Sequence, residues 1–486
     1  MPASALGEAP AGRRAGLIVG VLSFCGIVVS LMQTLVVPLL PDLPRIFGTS
    51  AANTSWVMTV TLLTAAVSNP VSGRLGDMYG KRQMLLINLA LLVAGSVIVA
   101  LSSALMPVII GRALQGCAIG VIPLGISIMR DELPHERLGS AMALMSATLG
   151  IGAAIGMPLA AWIVEHADWH AMFWMSAGIG LLDIPLVALF VRESSLRSAG
   201  RFDFVGAVGL TIGLVCLLIA ITQGGGWGWG SGRTLGLLAA AVVTLILWGV
   251  YELRRTEPLV DLRTSSRRPV LLTNMASILI GFTIMAMMLV LPQLLLAPKA
   301  TGYGLALSMM QAGLCMAPGG VMMMLLSPVS AWISRTWGPK ASLMIGAGVM
   351  GVSYALGIFM TSDIWQIMFV STAISAGLAL AYAAMPALIM DSVPETETAA
   401  ANGLNALMRS IGTSASSAVT SAVMSGMTMS VGALVMPTLR GLQVAMAIAT
   451  AAAVGGLLIT AFVPGGRNGQ PTTRCRTSNA PARSLA

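Results

Sequence analysis

Fourteen runs of about 20 predominantly apolar residues follow one another along the chain, and they constrain the fold more than any other feature. A helix of that length spans the hydrocarbon core of a bilayer, whereas a barrel strand needs only about half as many residues. A helix also pairs every backbone group within its own segment. We therefore predict an all-α integral membrane protein with fourteen transmembrane helices. The predicted spans are residues 16–37, 54–73, 84–103, 106–129, 141–164, 171–191, 203–222, 234–251, 270–291, 305–327, 341–360, 364–388, 398–425 and 441–463.

Charged residues make up only 9% of the chain, whereas hydrophobic residues make up 56%. A soluble domain carries about 25% charged residues, so this chain could not cover a water-facing surface, and we expect its main partner to be the lipid bilayer. The formal net charge is +9. Because the basic residues lie between the apolar runs, they indicate membrane topology, and we expect no nucleic-acid partner.

The basic residues are distributed unevenly between alternate connections. Of the 27 Lys and Arg residues, 21 lie on the side that carries both termini, four lie on the other side and two lie within predicted spans. Basic residues are enriched on the cytoplasmic side of membrane proteins. This bias predicts a multi-pass membrane protein whose N- and C-termini are both cytoplasmic, and we expect it to lie in the bacterial plasma (inner) membrane.

Two stretches at the ends of the second and tenth spans resemble each other. Residues 69–82 and 327–340 align without a gap at an offset of 258, with an identical Pro-Val-Ser sequence and an identical late glycine. Further matches at nearly the same offset indicate a duplication. Since both copies lie on the predicted cytoplasmic side, we expect parallel repeats that enclose a site near the middle of the membrane.

This symmetry divides the chain into two six-helix bundles with two additional helices between them. The predicted regions are a cytoplasmic N-terminus (1–15), an N-terminal bundle (16–192), two extra transmembrane helices with a cytoplasmic linker (193–269), a C-terminal bundle (270–463) and a disordered cytoplasmic tail (464–486).

The loop after the second span contains Gly73, Asp77, Gly80, Lys81 and Arg82 in a spaced pattern. This pattern and its position resemble the signature loop of the major facilitator superfamily. The resemblance implies the major facilitator fold and a cytoplasmic gating role for these residues. A loop that only obeyed the positive-inside tendency would explain the two basic residues, but not the glycines or the aspartate.

Two further motifs lie in the fourth and fifth spans. Arg112 and Gln115 resemble the arginine motif of the family's fourth helix, which implies a role in proton transfer. Gly152, Gly156 and Pro158 resemble the antiporter motif of the fifth helix, which favours export. A structural hydrogen-bonding arginine and close helix packing by the glycines are the alternatives.

The two extra helices, introduced by an Arg-Phe-Asp sequence at residues 201–203, resemble the fourteen-helix drug:proton antiporter branch of the family. Asn402, Asn405 and Arg409 in the thirteenth span also resemble it, which implies that they belong to the proton-coupling cavity. The chain departs from this branch at the end of the first span, where Met32 replaces the usual aspartate.

Asp183 is the acidic residue that lies deepest within a predicted span. A carboxyl group at low dielectric favours its neutral form, and an intramembrane acid indicates a functional site. We therefore expect Asp183 to exchange a proton or to attract a cationic drug, with a packing role near Pro185 as the alternative. The 34 methionines would suit a promiscuous binding site, but we expect most of them to face lipid.

Together these features predict a monomeric, proton-coupled exporter of small amphipathic drugs or antibiotics that works by alternating access. The sequence shows no phosphate-binding loop, metal-ligand cluster or set of nucleophilic residues. We expect no enzymatic activity, no metal and no cofactor. The alternative function is proton-coupled uptake or export of a specific small metabolite, since Arg112 and Arg409 could bind an anionic solute.

Overall fold

The computed structural model describes residues 11–40, 42–194, 196–198, 201–431 and 434–464. Within these residues, each of the fourteen predicted spans falls on one long helix. The predicted N-terminus and tail fall largely outside the described residues. The long helices are α1 Ala11–Thr34, α2 Trp56–Tyr79, α3 Lys81–Ala100, α4 Leu105–Glu132, α5 His135–His166, α6 His170–Phe190, α7 Phe204–Trp227, α8 Gly232–Arg254, α9 Arg268–Leu296, α10 Met309–Thr336, α11 Pro339–Gly357, α12 Ile364–Met390, α13 Thr398–Gly426 and α14 Leu439–Ala461.

Shorter elements connect these helices. A 3₁₀ turn, Ala118–Gly120, divides α4 into Leu105–Cys117 and Val121–Glu132. An antiparallel hairpin joins α13 to α14 and consists of β1 Thr428–Val431 and β2 Leu434–Pro437. The remaining short helical segments are Val37–Leu39, Leu43–Phe47, Ala51–Thr54, Leu262–Ser265, Lys299–Thr301 and Glu395–Glu397.

Eleven of the long helices in the described part of the chain are both long and apolar enough to cross a membrane. The other three, α2, α11 and α13, are less apolar. Helix α13 illustrates the reason, because it is rich in Ser, Thr and Gly and carries Arg409. Such helices can still span a bilayer when their polar faces are covered by neighbouring helices, so a total of fourteen spans stays a prediction.

The sequence repeat reappears as a pair of matched turns. Gly80 separates α2 from α3 with a φ of 131°, and Gly338 separates α10 from α11 with a φ of 87°. Residues other than glycine rarely adopt a positive φ. The two copies of the repeat therefore share a backbone conformation as well as a sequence pattern.

Helices α1–α6 pack around one set of apolar cores, and α9–α14 pack around another. The two bundles meet mainly where α5 packs on α10 and where α2 packs on α13. Helices α7 and α8 form a hairpin, and α7 packs against both α2 and α13. Most of α8 is exposed within the chain, as expected of a helix that faces lipid.

The end of α2, the start of α3, the end of α4 and the start of α13 meet at one end of the molecule. Asp77, Lys81, Asp131 and Thr398 lie together there. We refer to this end as the charged end, and it corresponds to the predicted cytoplasmic side.

Candidate functional site

A cavity of about 340 Å³ lies between the two bundles. Its walls come from α1, α2, α4 and α5 on one side and from α9, α10, α12 and α13 on the other. It extends along α5 from Leu149 to Met157 and along α10 from Gly313 to Met323. These are the halves of α5 and α10 that are distant from the charged end, so the cavity lies in the opposite half of the molecule.

Methionine is prominent on the cavity surface. The methionines that line it are Met58, Met157, Met285, Met287, Met288, Met316 and Met323. Across the described residues, the strongly exposed methionines are Met106, Met275 and Met324. The expectation that most methionines face lipid is therefore wrong, because most of them lie in bundle cores or along the cavity. Flexible, polarisable thioethers adapt to ligands of different shapes.

Arg112 is the charged residue in the cavity wall, and only 1% of it is exposed to solvent. Its Nη1 donates to Gln115 Oε1 at 2.7 Å, and Gln115 Nε2 donates to Ser96 Oγ at 2.8 Å. Weaker bonds of 3.4 Å lead from Arg112 to the carbonyl oxygens of Met32 and Val57. The chain Arg112–Gln115–Ser96 thus fixes the guanidinium within the N-terminal bundle.

Among the described residues, no carboxylate lies within ion-pair distance of Arg112. Met32 occupies the position at which the resembled branch carries an aspartate, and it offers Arg112 only its backbone carbonyl. A buried cation without a counterion costs about 2.5–3.5 kcal/mol on insertion scales. Arg112 therefore forms a positive site beside the cavity.

Arg409 belongs to a polar network in the C-terminal bundle. Its Nη1 donates to Asn405 Oδ1 at 2.5 Å, and Asn405 Nδ2 donates to Asn274 Oδ1 at 3.0 Å and to Ser277 Oγ at 2.6 Å. The guanidinium lies 4.8 Å from the centre of the Tyr382 ring, which lines the cavity. Arg409 and Asn405 thus lie one residue behind the cavity wall and not in it.

Asp77 connects the two bundles at the charged end. Its side chain is fully buried, and its two oxygens accept hydrogen bonds from the backbone N–H groups of Ala399 at 3.2 Å and Ala400 at 2.8 Å. These amides belong to the first turn of α13, where helix N–H groups lack partners within the helix and attract anions. A methyl group on Gly73 would collide with the Ala399 carbonyl oxygen, so α2 can approach α13 only with glycine there.

Lys81 completes this contact. Its buried ammonium lies 2.7 Å from Asp131 Oδ2, donates to Thr398 Oγ1 at 2.9 Å and lies 3.7 Å from Asp77 Oδ1. Farther along α13, Asn402 Nδ2 donates to Ser127 Oγ of α4 at 3.4 Å. The bundles are therefore closed against each other at the charged end.

Arg82, by contrast, bonds within its own half of the molecule. Its guanidinium donates to the Ala188 carbonyl oxygen at the end of α6, and its backbone N–H donates to Glu193 Oε1 at 3.2 Å. Gly80 lies against the same Glu193 carboxylate. Arg82 and Gly80 thus shape the α2–α3 turn, whereas Asp77 and Lys81 reach across to α13.

The helix-5 glycines face α1. A methyl group on Gly152 would lie 2.5 Å from Ser30 Cβ, and one on Gly156 would collide with Thr34 Oγ1. Pro158 lies at the contact with α10, where its backbone nitrogen faces Gly313. This motif therefore sets close helix packing beside the cavity.

Asp183 lies outside the cavity. It is fully buried in the N-terminal bundle beside the Cys25 thiol, and neither of its oxygens has a partner in hydrogen-bond geometry among the described residues. The sequence places Asp183 among the candidate residues of the proton-coupling cavity, but in the structure it does not line that cavity, because α6 packs against α1 and α3 within the N-terminal bundle. Its proton exchange stays a prediction.

Sequence reasoning missed Asp131, Thr398, Tyr382 and the cavity methionines. Asp131 follows Arg130 at the end of the fourth span, and this position in the sequence is typical of a solvated loop. The one available signal for Thr398 was its position at the start of a predicted helix. Together the observed features define a membrane carrier: two helical bundles, an apolar cavity between them and a polar closure at one end.

The comparisons with known proteins agree with this class. The family model described as Major Facilitator Superfamily matches residues 22–417. The chain is 27% identical over 433 residues to the tetracenomycin C resistance and export protein of Streptomyces glaucescens, covering 87% of this chain and 77% of that protein. It is 27% identical over 342 residues to the lincomycin resistance protein LmrB of Listeria monocytogenes, covering 70% of this chain and 71% of that protein.

Solved structures share the fold. The human organic anion transporter MFSD10 superposes with a TM-score of 0.68 at 16% identity, over 93% of this chain and 100% of that one. The proton:xylose symporter XylE superposes with a TM-score of 0.64 at 14% identity, over 94% and 97%. The chain belongs to the major facilitator superfamily, and like its relatives it is a carrier and not an enzyme.

Proposed function

We propose that this protein exports small amphipathic drugs or antibiotics across the bacterial plasma membrane in exchange for protons. The observation that carries the proposal is the methionine-rich cavity between two bundles that are sealed together at one end. In this proposal the chain works as a monomer with fourteen spans, and both termini are cytoplasmic.

The cavity chemistry supports a lipophilic substrate of variable shape. Apart from Arg112, its lining consists of uncharged side chains, most of them apolar, with seven hydroxyl groups and one amide group, that of Gln33, among them. A site of this kind binds by apolar contact and adapts through its thioethers. Two relatives are named for resistance to tetracenomycin C and to lincomycin, which supports antibiotics as the substrate class.

The closure at the charged end supports alternating access. If that end faces the cytoplasm, the structure has the cavity on the outer side of the seal, as in a state that releases substrate outward. Loading from the cytoplasm then requires Asp77 to leave the first turn of α13, and Lys81 to leave Thr398. The two bundles would rock around the cavity as α5 and α2 shift against α10 and α13.

Arg112 and Asp183 are the proposed proton-coupling groups. Arg112 lines the cavity, and no carboxylate of the described residues lies within ion-pair distance of it, so the charge of a bound substrate or of a nearby acid would change its environment directly. Asp183 is a buried acid beside the Cys25 thiol, and among the described residues neither of its oxygens has a partner in hydrogen-bond geometry, which suits a group that is neutral when the bundle is closed around it. Gln115, Asn402, Asn405 and Arg409 would support the same network.

A carrier of a specific anionic metabolite is the second candidate. The observation that favours it is the buried Arg112 guanidinium in the cavity wall, which could pair with a carboxylate or phenolate of the solute.

Efflux measurements test the proposal and separate the two candidates. The full chain is expressed in a drug-sensitive host, and fluorescent amphipathic dyes are followed in inverted membrane vesicles. Dye accumulation in the vesicles that stops when a protonophore collapses the gradient is the expected result. Proton-dependent accumulation in intact cells, or transport of anions alone, would contradict drug export.

A further inference from the structure

Two buried carboxyl groups come together where the extra helices meet the charged end. Asp203 precedes the first turn of α7, and Glu252 lies in the last turn of α8. Only 7% of Asp203 and 2% of Glu252 are exposed. Neither takes part in an ion pair among the described residues.

Each carboxyl group is satisfied on one oxygen only. Asp203 Oδ1 accepts from the backbone N–H of Gly206 at 2.9 Å and from the Tyr251 hydroxyl at 3.0 Å. Glu252 Oε2 accepts from the backbone N–H of Leu259 at 3.0 Å. Asp203 Oδ2 and Glu252 Oε1 are buried without a hydrogen-bond partner in the described structure.

These two unpaired oxygens face the same point. A Cβ atom built on Gly206 would lie 2.5 Å from each of them, so the two oxygens are at most twice that distance apart. Two carboxylates that share a buried site cannot both remain ionised without a strong mutual penalty. Unpaired buried polar atoms add the cost of their lost hydration.

The surrounding groups do not remove this penalty. Arg255 is fully exposed, and its Nε donates to the Tyr251 hydroxyl at 2.7 Å instead of to either carboxyl group. The Trp248 indole N–H lies beside the Glu252 carboxyl group, but neither it nor Glu252 Oε1 has a partner in hydrogen-bond geometry in the described structure. The pair thus faces one exposed cation, one phenol and one neutral indole.

We propose that Asp203 and Glu252 form a proton-binding site, in which one proton is shared between Asp203 Oδ2 and Glu252 Oε1. The proton is donated by one group and accepted by the other, so both orphaned oxygens gain a partner and one negative charge remains. A metal ion fits less well, because Ca²⁺ takes six to eight oxygen ligands. Among the described residues there is no cluster of three or more metal-ligating side chains.

The site lies at a junction between the bundles and not at the cavity. Asp203 caps α7, and Glu252 holds the linker at Leu259. Leu259 packs in one apolar cluster with Leu63 of α2 and Leu404 of α13. The carboxyl pair therefore lies where α7, α8 and the linker meet, next to the apolar cluster that α2 and α13 share, and its assignment stands independently of the proposed drug export.

Infrared difference spectroscopy on the purified full chain in lipid nanodiscs tests the site. The measured signal is the C=O stretch of protonated carboxylic acids at neutral pH. We expect D203N and E252Q each to lose the same single band, because either amide replaces the shared proton as the donor and leaves the other group ionised. Asn is itself a favoured N-cap residue, so D203N keeps the cap of α7.

E257Q is the matched control, since Glu257 is a nearby exposed acid whose oxygen accepts from the Arg201 backbone N–H. Its spectrum should equal that of the wild type in the region of the carboxylic acid C=O stretch.

Loss of the band in only one of D203N and E252Q would show that one acid holds the proton alone, and loss in neither would show that both are ionised. A band that NaCl abolishes and choline chloride preserves would assign a sodium ion. Each of these three results would overturn the shared proton.

A further variant keeps the test decisive if D203N fails to fold. E252D retains both acids but withdraws one oxygen from the shared position, so its band is expected to shift or split. An unchanged band in E252D would contradict the proposal.

Discussion

The turn between α2 and α3 and its repeat copy between α10 and α11 have the same backbone plan but different chemistry. Gly80 and Gly338 both adopt a positive φ at corresponding positions. In the first copy Asp77 is buried and accepts two hydrogen bonds from α13. In the second copy, Arg335 occupies the position of Asp77 and is exposed to solvent.

The same asymmetry extends to the neighbouring positions. Gly73, which allows α2 to touch α13, corresponds to Ala331 in the second copy, and Lys81 corresponds to Pro339. Trp332 and Trp337 of the second copy are exposed and contact each other edge to face. The two copies thus share the turn, whereas the hydrogen-bonded contact of Asp77 with α13 belongs to the first copy.

The largest expected effect is at Asp77. Breaking a buried, hydrogen-bonded charged contact costs about 3–5 kcal/mol, so Asp77→Ala should make the closed charged end a minor state and abolish most dye efflux. Arg335→Ala is the matched variant in the other copy. It should leave the efflux rate within about twofold of wild type, because a solvent-exposed charged side chain contributes little to stability. Equal losses in both variants would contradict an asymmetric closure.

Arg112 and Arg409 provide a second comparison between the halves. Arg112 lines the cavity, whereas Arg409 reaches it through Tyr382. Losing hydrogen bonds to a charged group costs about 1.5–3 kcal/mol each, so Arg112→Gln should lower the proton-dependent efflux rate at least tenfold. Arg409→Gln should have a smaller effect under the same assay. If Arg409→Gln proved the more damaging, the C-terminal network would be the coupling element.

Substitutions at Gly73 and Ala331 test whether the close approach of α2 to α13 requires glycine in the first copy. Gly73→Ala should lower the efflux rate several-fold, because its methyl group would press against the backbone carbonyl of Ala399 and hold the charged end apart. The control is Ala331→Gly, for which we expect near-normal transport. Wild-type efflux from Gly73→Ala would show that this close approach is not needed for closure.

The smallest expected effect concerns the shared turn itself. Gly80→Ala and Gly338→Ala each place a side chain at a positive φ, which costs about 1–2 kcal/mol. Both variants should lower the thermal unfolding midpoint in detergent by a few degrees. The drop should be larger for Gly80→Ala, because its Cβ would also lie 2.6 Å from the Glu193 carboxylate. A lower unfolding midpoint in only one of the two variants would mean that a side chain at a positive φ is not equally unfavourable in the two turns.

The sequence predicted the helices well because about 20 apolar residues in a row have few alternatives in lipid. It also nominated Asp77, Lys81 and Arg112, because they match spaced motifs of the family in a chain with few charges, and the structure places all three in buried polar contacts. It could not identify the partner of Asp77, because that partner is backbone N–H on a helix more than 300 residues away. Every residue except proline carries a backbone N–H group, so a sequence does not show which of these groups binds a side chain.

Asp183 and the methionines show a second limit. Apolar runs that are hydrophobic on every side do not reveal which face meets lipid, a bundle core or a cavity. Asp183 could therefore be assigned to a span but not to a face, and it lies in a bundle interior. The methionines that line the cavity could not be distinguished from lipid-facing ones for the same reason.

Distance measurements across the charged end test the central claim most directly. Spin labels at Gln83→Cys and Glu395→Cys, two exposed positions on opposite bundles, would be introduced into a variant without native cysteines in nanodiscs. Pulsed electron paramagnetic resonance should show a short distance that matches this closed end and a longer one. The longer distance should gain population with a transported drug and dominate in Asp77→Ala. A single distance that is unchanged by pH, by drug and by Asp77→Ala would contradict the claim that the two bundles open and close around one cavity.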